Sequence, residues 1–226
     1  MTANARDTVY DTLRDRLTHG RYPADASLIP QALSEEFQVS RTPVREALAL
    51  LERDGLLAST RRGYEVRRRT DEEILELFEV RAVLESAAAY AAAVRATSID
   101  IARLADLHER SQETDDPARV RRLFNHFHDA VRGAAHNATI TTLLRNLEAQ
   151  VKVSAPWTTA VDDHVFDDSY AEHRAVLDAI RAGDSVGART AILEHSARDR
   201  DTRISQLIVR MSAELTEPDS ASAGRG

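Results

Sequence analysis

The chain of 226 residues carries 30 basic and 37 acidic side chains, for a net charge of −7, with 42% hydrophobic residues and no cysteine. That length and apolar content support two modest domains or one large one with real cores, and the missing thiols exclude a disulfide framework, a thiolate metal site and a cysteine nucleophile. No apolar run approaches the ~20 residues that span a bilayer, and the N-terminus lacks a signal-peptide core, so a cytoplasmic protein without membrane contact is expected. The charge is divided unevenly. Residues 1–70 hold 12 basic and 10 acidic side chains, whereas residues 71–226 hold 18 and 27, so only the N-terminal part can approach a polyanion without large repulsion.

Val9, Leu13, Arg16 and Leu17 recur at helical spacing and predict a first helix over residues 4–19, stopped by Gly20 and followed by a turn at Tyr22-Pro23-Ala24-Asp25. Gln31 to Phe37 reads as a short helix with Leu33 and Phe37 on one face. After a tight turn a second helix opens with a cap at Ser40 or Thr42, then Pro43, with Arg41 and Arg45 around it. Proline is tolerated there because first-turn N–H groups have no intrahelical partner. Val44, Leu48 and Leu51 face inward, which leaves Arg41, Thr42 and Arg45 outward. This is a helix-turn-helix that presents the N-terminal end of its second helix to DNA. Beyond Asp54-Gly55, Leu56–Ser59 and Tyr64–Arg67 read as strands joined by Thr60-Arg61-Arg62-Gly63. A hairpin directly behind a recognition helix is a wing, and residues 1–69 are expected to form a winged helix.

From Thr70 onward the pattern is helical. Thr70-Asp71-Glu72-Glu73 is a capping box that opens a helix to about Ala96, with Ile74, Leu77, Phe78, Val80, Ala82, Leu84 and the run 87–94 predicted to be well buried. Ser98 is read as the cap of a second helix to about Ser111, and Asp116-Pro117 restarts a third that reaches about His136, with Asn137 as a left-handed stop. A fourth covers about 138–155, a loop with the sole tryptophan, Trp157, covers 157–167, and two more helices run from about 168 to 181 and on to about 215. Residues 70–215 therefore read as an all-α six-helix bundle, and the Ser/Ala/Gly/Pro-rich residues 216–226 as a disordered tail. Arg81 stands in an otherwise apolar stretch, where an unpaired charge is expensive. It is either half of a buried salt bridge or a bidentate clamp on a carboxylate ligand. Trp157 is read as a lid over a pocket or as a core plug.

Residues 28–57 resemble the winged helix of the GntR family, whose recognition helix stands here unaltered as Ser40-Arg41-Thr42-Pro43-Val44-Arg45-Glu46-Ala47-Leu48. The C-terminal part resembles the FCD domain of the FadR subfamily in its shorter, VanR-like branch. Three segments carry that likeness: Phe78 to Glu85, Phe127 to Asn137, and Glu172 to Asp184. The resemblance implies that Arg41 and Arg45 read or clamp DNA, that Thr42 contacts phosphate, and that Gly63 lets the wing backbone approach the minor groove. Gln31 stands where many relatives hold an arginine, and Arg61 and Arg62 on the wing can replace that contact. A homodimer on a pseudo-palindromic double-stranded operator, acting as a repressor, is the expected mode.

The same resemblance places His128, His173 and His195 at the family's metal-ligand positions, 45 and 22 residues apart on three helices. Imidazoles from three helices suit Zn²⁺ or Ni²⁺ better than Mn²⁺. The family's usual Asp or Asn ligand position is occupied by Phe124, which cannot ligate, and Asn125 is the weak neutral substitute nearby. The expected function is a transcription regulator that senses a small carboxylate, through Arg81 and a divalent metal. A direct metal sensor is the alternative. A metallohydrolase with three histidine ligands is a weaker one, because no general base is identifiable and an enzyme has no use for the winged helix.

Overall fold

The computed structural model describes residues 4–23, 26–154 and 165–216. Helix α1 (Ala5–Thr18) starts on the Asn4 side chain and buries Val9, Leu13 and Leu17. Arg16, at the edge of that stripe, reaches out to Glu36 and lies 5.3 Å over the Phe37 ring. Strand β1 (Ser27–Leu28) precedes α2 (Pro30–Glu36) and the recognition helix α3 (Arg41–Arg53). The turn between α2 and α3 passes through Gln38 at φ 53°, and the Val39 amide closes it on the Ser34 carbonyl. Gly55 (φ 74°) ends α3, with the Leu56 amide donating to the Leu51 carbonyl and Leu56 fully buried. That is a Schellman stop, in which a left-handed residue satisfies the last carbonyls.

The wing is three-stranded rather than a bare hairpin. β2 (Leu57–Thr60) and β3 (Gly63–Val66) pair antiparallel, and β1 adds to the other edge of β3, giving the order β1-β3-β2. Two residues were too short a run for sequence periodicity to show β1. A Cβ on Gly63 would sit 2.6 Å from the Leu28 carbonyl oxygen, so the close approach of β1 to β3 requires glycine there whatever the wing contacts.

Six helices follow: α4 (Asp71–Arg95), α5 (Ser98–Gln112), α6 (Pro117–Ala134), α7 (Ala138–Ser154), α8 (Val165–Ala182) and α9 (Ser185–Thr216). The Thr70–Glu73 capping box is present. Two helix boundaries, one start and one stop, differ from expectation by one residue. Thr97, not Ser98, caps α5 in a reciprocal box with Asp100. His136, not Asn137, takes the left-handed conformation after α6 (φ 46°), and Asn137 instead caps α7 through the Ile140 amide. Trp157, the turn residues Ala24 and Asp25, and the tail from Glu217 lie outside the described residues.

Helix α4 is the axis of the bundle, packing against α6, α7, α8 and α9. The core joins Ala89 and Ala92 to Leu104, Phe127, Val131, Leu177 and Ile192. The predicted burial of the whole apolar surface of α4 does not hold. Val80, Val83, Ala87, Tyr90 and Val94 are exposed, at alternating three- and four-residue spacing along one face. The winged helix and bundle also share packing: Ala149 and Val153 of α7 join the N-terminal core of Leu13, Leu48 and Leu57. Arg69 ties the junction by donating to the Gly55 carbonyl, Gln150 and Ser154.

Candidate functional site

The N-terminal end of α3 is held by Val44, Ala47, Leu48 and Leu51, all fully buried, so its opposite face has one orientation. Ser40 occupies the cap position without a side-chain cap hydrogen bond, which leaves its hydroxyl for another partner. Arg41, Thr42 and Arg45 are exposed on α3, as are Arg61 and Arg62 at the wing turn. Among the described residues none of these four guanidinium groups forms an ion pair, although many arginines elsewhere do. Cations without ion pairs around a helix N-terminus, whose backbone dipole also favours anions, form a surface suited to phosphate. Gln31 is exposed on α2, and its amide donates to Glu35 at 2.7 Å.

The second constellation lies inside the bundle. His128 of α6, His173 of α8 and His195 of α9 are all buried, and their candidate ligand nitrogens lie within 4.8 Å of one another. His128 Nε2 is 3.2 Å from His173 Nε2 and 3.1 Å from His195 Nε2. One ring nitrogen offers a single proton or a single lone pair, so His128 Nε2 can satisfy only one of these approaches by hydrogen bonding. A cation shared by the three rings could satisfy both. Nitrogens about 2.1 Å from one ion lie about 3.0 Å apart on an octahedron and about 3.4 Å apart on a tetrahedron, and the two spacings from His128 fall between, with all three nitrogens within 4.8 Å of one another.

The surroundings favour the neutral ring at His128 and His173 and the charged ring at His195. Burial, opposed by the Glu85 charge and aided by the neighbouring histidines and, at His128, by Arg81 and Arg132, pushes His128 and His173 well below the usual imidazole range. Burial acts on His195 in the same direction, but the Glu172 hydrogen bond and the Asp199, Glu172 and Glu85 charges raise it overall. His195 Nδ1 donates to Glu172 Oε2 at 2.7 Å, which turns Nε2 inward and raises its basicity. His173 is positioned by packing, with its ring centroid 4.3 Å from that of Phe124 and 4.8 Å from that of Phe127.

Around this centre the structure adds residues that the sequence did not single out. Arg81 Nε donates to Glu85 Oε1 at 3.0 Å, and its Nη2 lies 3.8 Å from Asp199 Oδ2. Glu85 also accepts from Arg132, which in turn holds Glu148 of α7. Arg81 is therefore half of a buried ion pair, and its remaining guanidinium edge faces the carboxylate of Asp199. Asn125 is a correction. It lies on the exposed flank of α6, three residues before His128, while the three ligand nitrogens are buried. Phe124 does lie at the centre, but as a packing ring against His173 and Tyr170. The signals for the missed residues were adjacency, with Glu172 next to His173, and helical phase, with Asp199 one turn beyond His195. Away from this centre, an open polar crevice between α1, α6 and α7 is lined by Asp11, Arg14, Asp15, Asp129, Arg145, Glu148 and Lys152.

A winged helix with free arginines on its recognition helix, joined to a helical bundle with a buried histidine cluster, defines a DNA-binding transcription regulator with a sensory domain. The chain belongs to the GntR family of bacterial regulatory proteins, matched over residues 5–66, in the branch with an FCD domain, matched over residues 76–198. It is 30% identical over 215 residues to the galactonate operon transcriptional repressor of Escherichia coli (strain K12), covering 85% of this chain and 94% of that protein. It is 29% identical over 201 residues to the HTH-type transcriptional regulator LutR of Bacillus subtilis (strain 168), covering 79% and 91%. The solved structure of McbR/YncC from E. coli superposes with a TM-score of 0.76 at 22% identity, over 91% of this chain and all of that one. The family and these relatives are transcription regulators, not enzymes, which sets aside the metallohydrolase. No helix of the described residues is long and apolar enough to cross a membrane.

Proposed function

We propose that the chain is a cytoplasmic homodimeric repressor that binds a pseudo-palindromic operator and releases it in response to a small carboxylate held beside a divalent metal. The observation that carries the sensory half is the convergence of three buried Nε2 atoms that hydrogen bonding alone cannot satisfy. His128, His173 and His195 would hold the ion, which supplies a positive pole for a carboxylate, and Arg81 supplies the neighbouring guanidinium. A relative that represses a galactonate operon supports a carboxylate effector, since galactonate is a sugar acid. On the DNA side Arg41 and Arg45 contact base edges or phosphates, Thr42 a phosphate, and Arg61, Arg62 and Gly63 bring the wing to the adjacent groove. Gln31 offers a polar contact in place of a cation.

The dimer follows from α4. Exposed Glu76, Val80, Val83, Ala87, Tyr90 and Val94 repeat at four-three-four-three-four spacing, the seam along which two helices pack. Val83 is 65% exposed and Val94 63%, an apolar face that a second copy would cover. Two recognition helices on two half-sites also supply the specificity that one helix lacks.

Two measurements test this reading. In an operator shift assay two chains should bind per site, Arg45→Ala should weaken binding by roughly 1–3 kcal/mol if it reads a guanine edge, and Val83→Asp should lower the stoichiometry and affinity together. Unchanged affinity in both Arg41→Ala and Arg45→Ala would overturn the recognition assignment. Elemental analysis of the purified protein should give one transition-metal ion per chain, lost in His173→Ala. A parent protein that carries no metal, and that answers its carboxylate effector equally with and without chelator, removes the metal from the mechanism.

A further inference from the structure

The family's carboxylate ligand position is filled here by Phe124, yet the structure holds a carboxylate at the centre from another helix. Asp199 lies one turn beyond His195 on α9, and its Oδ2 is 3.9 Å from His195 Nε2, the nitrogen that faces the other two imidazoles. The same oxygen is 3.8 Å from Arg81 Nη2. It thus stands between the guanidinium and His195 Nε2, outside the group of three nitrogens that lie within 4.8 Å of one another, so ligation requires the side chain to turn inward. Its side chain is 39% exposed, so a small rotation toward the ion meets little packing resistance. Other nearby carboxylates are engaged elsewhere: Glu85 accepts from Arg81 and Arg132, and Glu172 accepts from His195 Nδ1 on the ring's outer side.

We infer that Asp199 is the fourth protein ligand of the three-histidine centre, replacing from α9 the carboxylate that Phe124 displaced from α6. This rests on the metal reading proposed above. It adds an anionic oxygen to three neutral nitrogens, which broadens the site toward oxygen-preferring ions. It also gives the sensory mechanism a built-in competitor. An incoming effector carboxylate, drawn to the same ion and to Arg81, competes with Asp199 for both.

The test is a chelator-competition titration of the full chain with Zn²⁺ and Mn²⁺, comparing the parent protein with Asp199→Asn, Asp199→Glu and His173→Ala. Asp199→Asn should weaken binding about tenfold or more, with the larger loss for Mn²⁺, and Asp199→Glu should recover part of it. The visible bands of the Co²⁺ form should change in Asp199→Asn, which a mere loss of an Arg81 contact would not cause. Thermal melts without metal confirm that each variant folds. An Asp199→Asn affinity within threefold of the parent, with an unchanged Co²⁺ spectrum and binding lost only in His173→Ala, overturns the inference and leaves the three-histidine site standing. Absence of binding by the parent itself overturns both.

Discussion

Replacing Arg132 with alanine is expected to cost roughly 3 kcal/mol of stability, the low end of the ~3–5 kcal/mol typical for breaking a buried ion pair. Arg132 is only 4% exposed, donates to Glu85 Oε1 at 2.7 Å through Nη2, and holds Glu148 and Asp129 through Nη1. Removing it strips a cation from the buried Glu85 and the partly buried Glu148 at once. The loss falls at the low end because each keeps another partner: Glu85 has Arg81, and Glu148 has Lys152 at 2.6 Å. Roughly 3 kcal/mol in a chain of this size corresponds to a fall in Tm of about 6–12 °C. The double variant Arg132→Met with Glu85→Gln, which removes charge on both sides, should recover much of it. If Arg132→Ala melts within 2 °C of the parent protein, the network carries no such weight.

The same network fixes a pH dependence. Burial alone would raise Glu85 and Glu148, but the nearby cations win: Arg81 and Arg132 hold Glu85 well below the usual carboxylate range, and Arg132 and Lys152 hold Glu148 down at about 2. A carboxylate depressed in the folded state binds protons mainly in the unfolded one. Its stabilisation is therefore complete above the ordinary glutamate value and is lost as pH falls through the folded value. The parent protein should lose stability from about pH 5 downward, and Arg132→Ala should show a shallower slope over that window. The network also reaches from Glu85, near His128, to α7, whose Ala149 packs in the winged-helix core, so the variant reports on coupling between the two halves.

The DNA-binding half was legible in the sequence because its determinants are local. A cap position, a first-turn proline and apolar residues four and three apart fix both the helix α3 and its outward face, and Arg41 and Arg45 need no distant partner. The bundle was legible as helices but not as surfaces. Helix α4 is apolar almost all round, so periodicity could not say which stripe is covered by α9 and which, from Val80 to Val94, remains exposed. Two helix boundaries moved by one position, the start of α5 from Ser98 to the equally good cap Thr97, and the left-handed residue after α6 from Asn137 to His136 because Asn137 caps α7 instead. The histidines came from family likeness, since separations of 45 and 22 residues imply nothing about convergence. Glu85, Arg132 and Glu148 meet from three helices, and Asp199 meets Arg81 across α4 and α9. Those contacts exist only in the folded chain.

Phe124→Asp is the second large effect expected, and its sign depends on metal. Phe124 is buried, with its ring 5.2 Å from Tyr170 and 4.3 Å from His173, both edge-on. Deleting a buried phenylalanine costs about 3–5 kcal/mol, and the new carboxylate takes the place of a ring packed on His173, an imidazole that burial keeps neutral. Without metal the domain should melt well below the parent protein. With metal, the Asp one helical turn before His128 adds an anionic oxygen on the face that carries the ligand. An ion at about 1,000 times its Kd stabilises by about 4.1 kcal/mol, enough to offset most of the packing loss. The rise in Tm on adding Mn²⁺ should therefore be larger in Phe124→Asp than in the parent protein, and calorimetric titration should show tighter binding. A deficit that saturating metal does not reduce would mean that residue 124 serves only to pack His173, and that the centre takes its carboxylate from elsewhere in the fold.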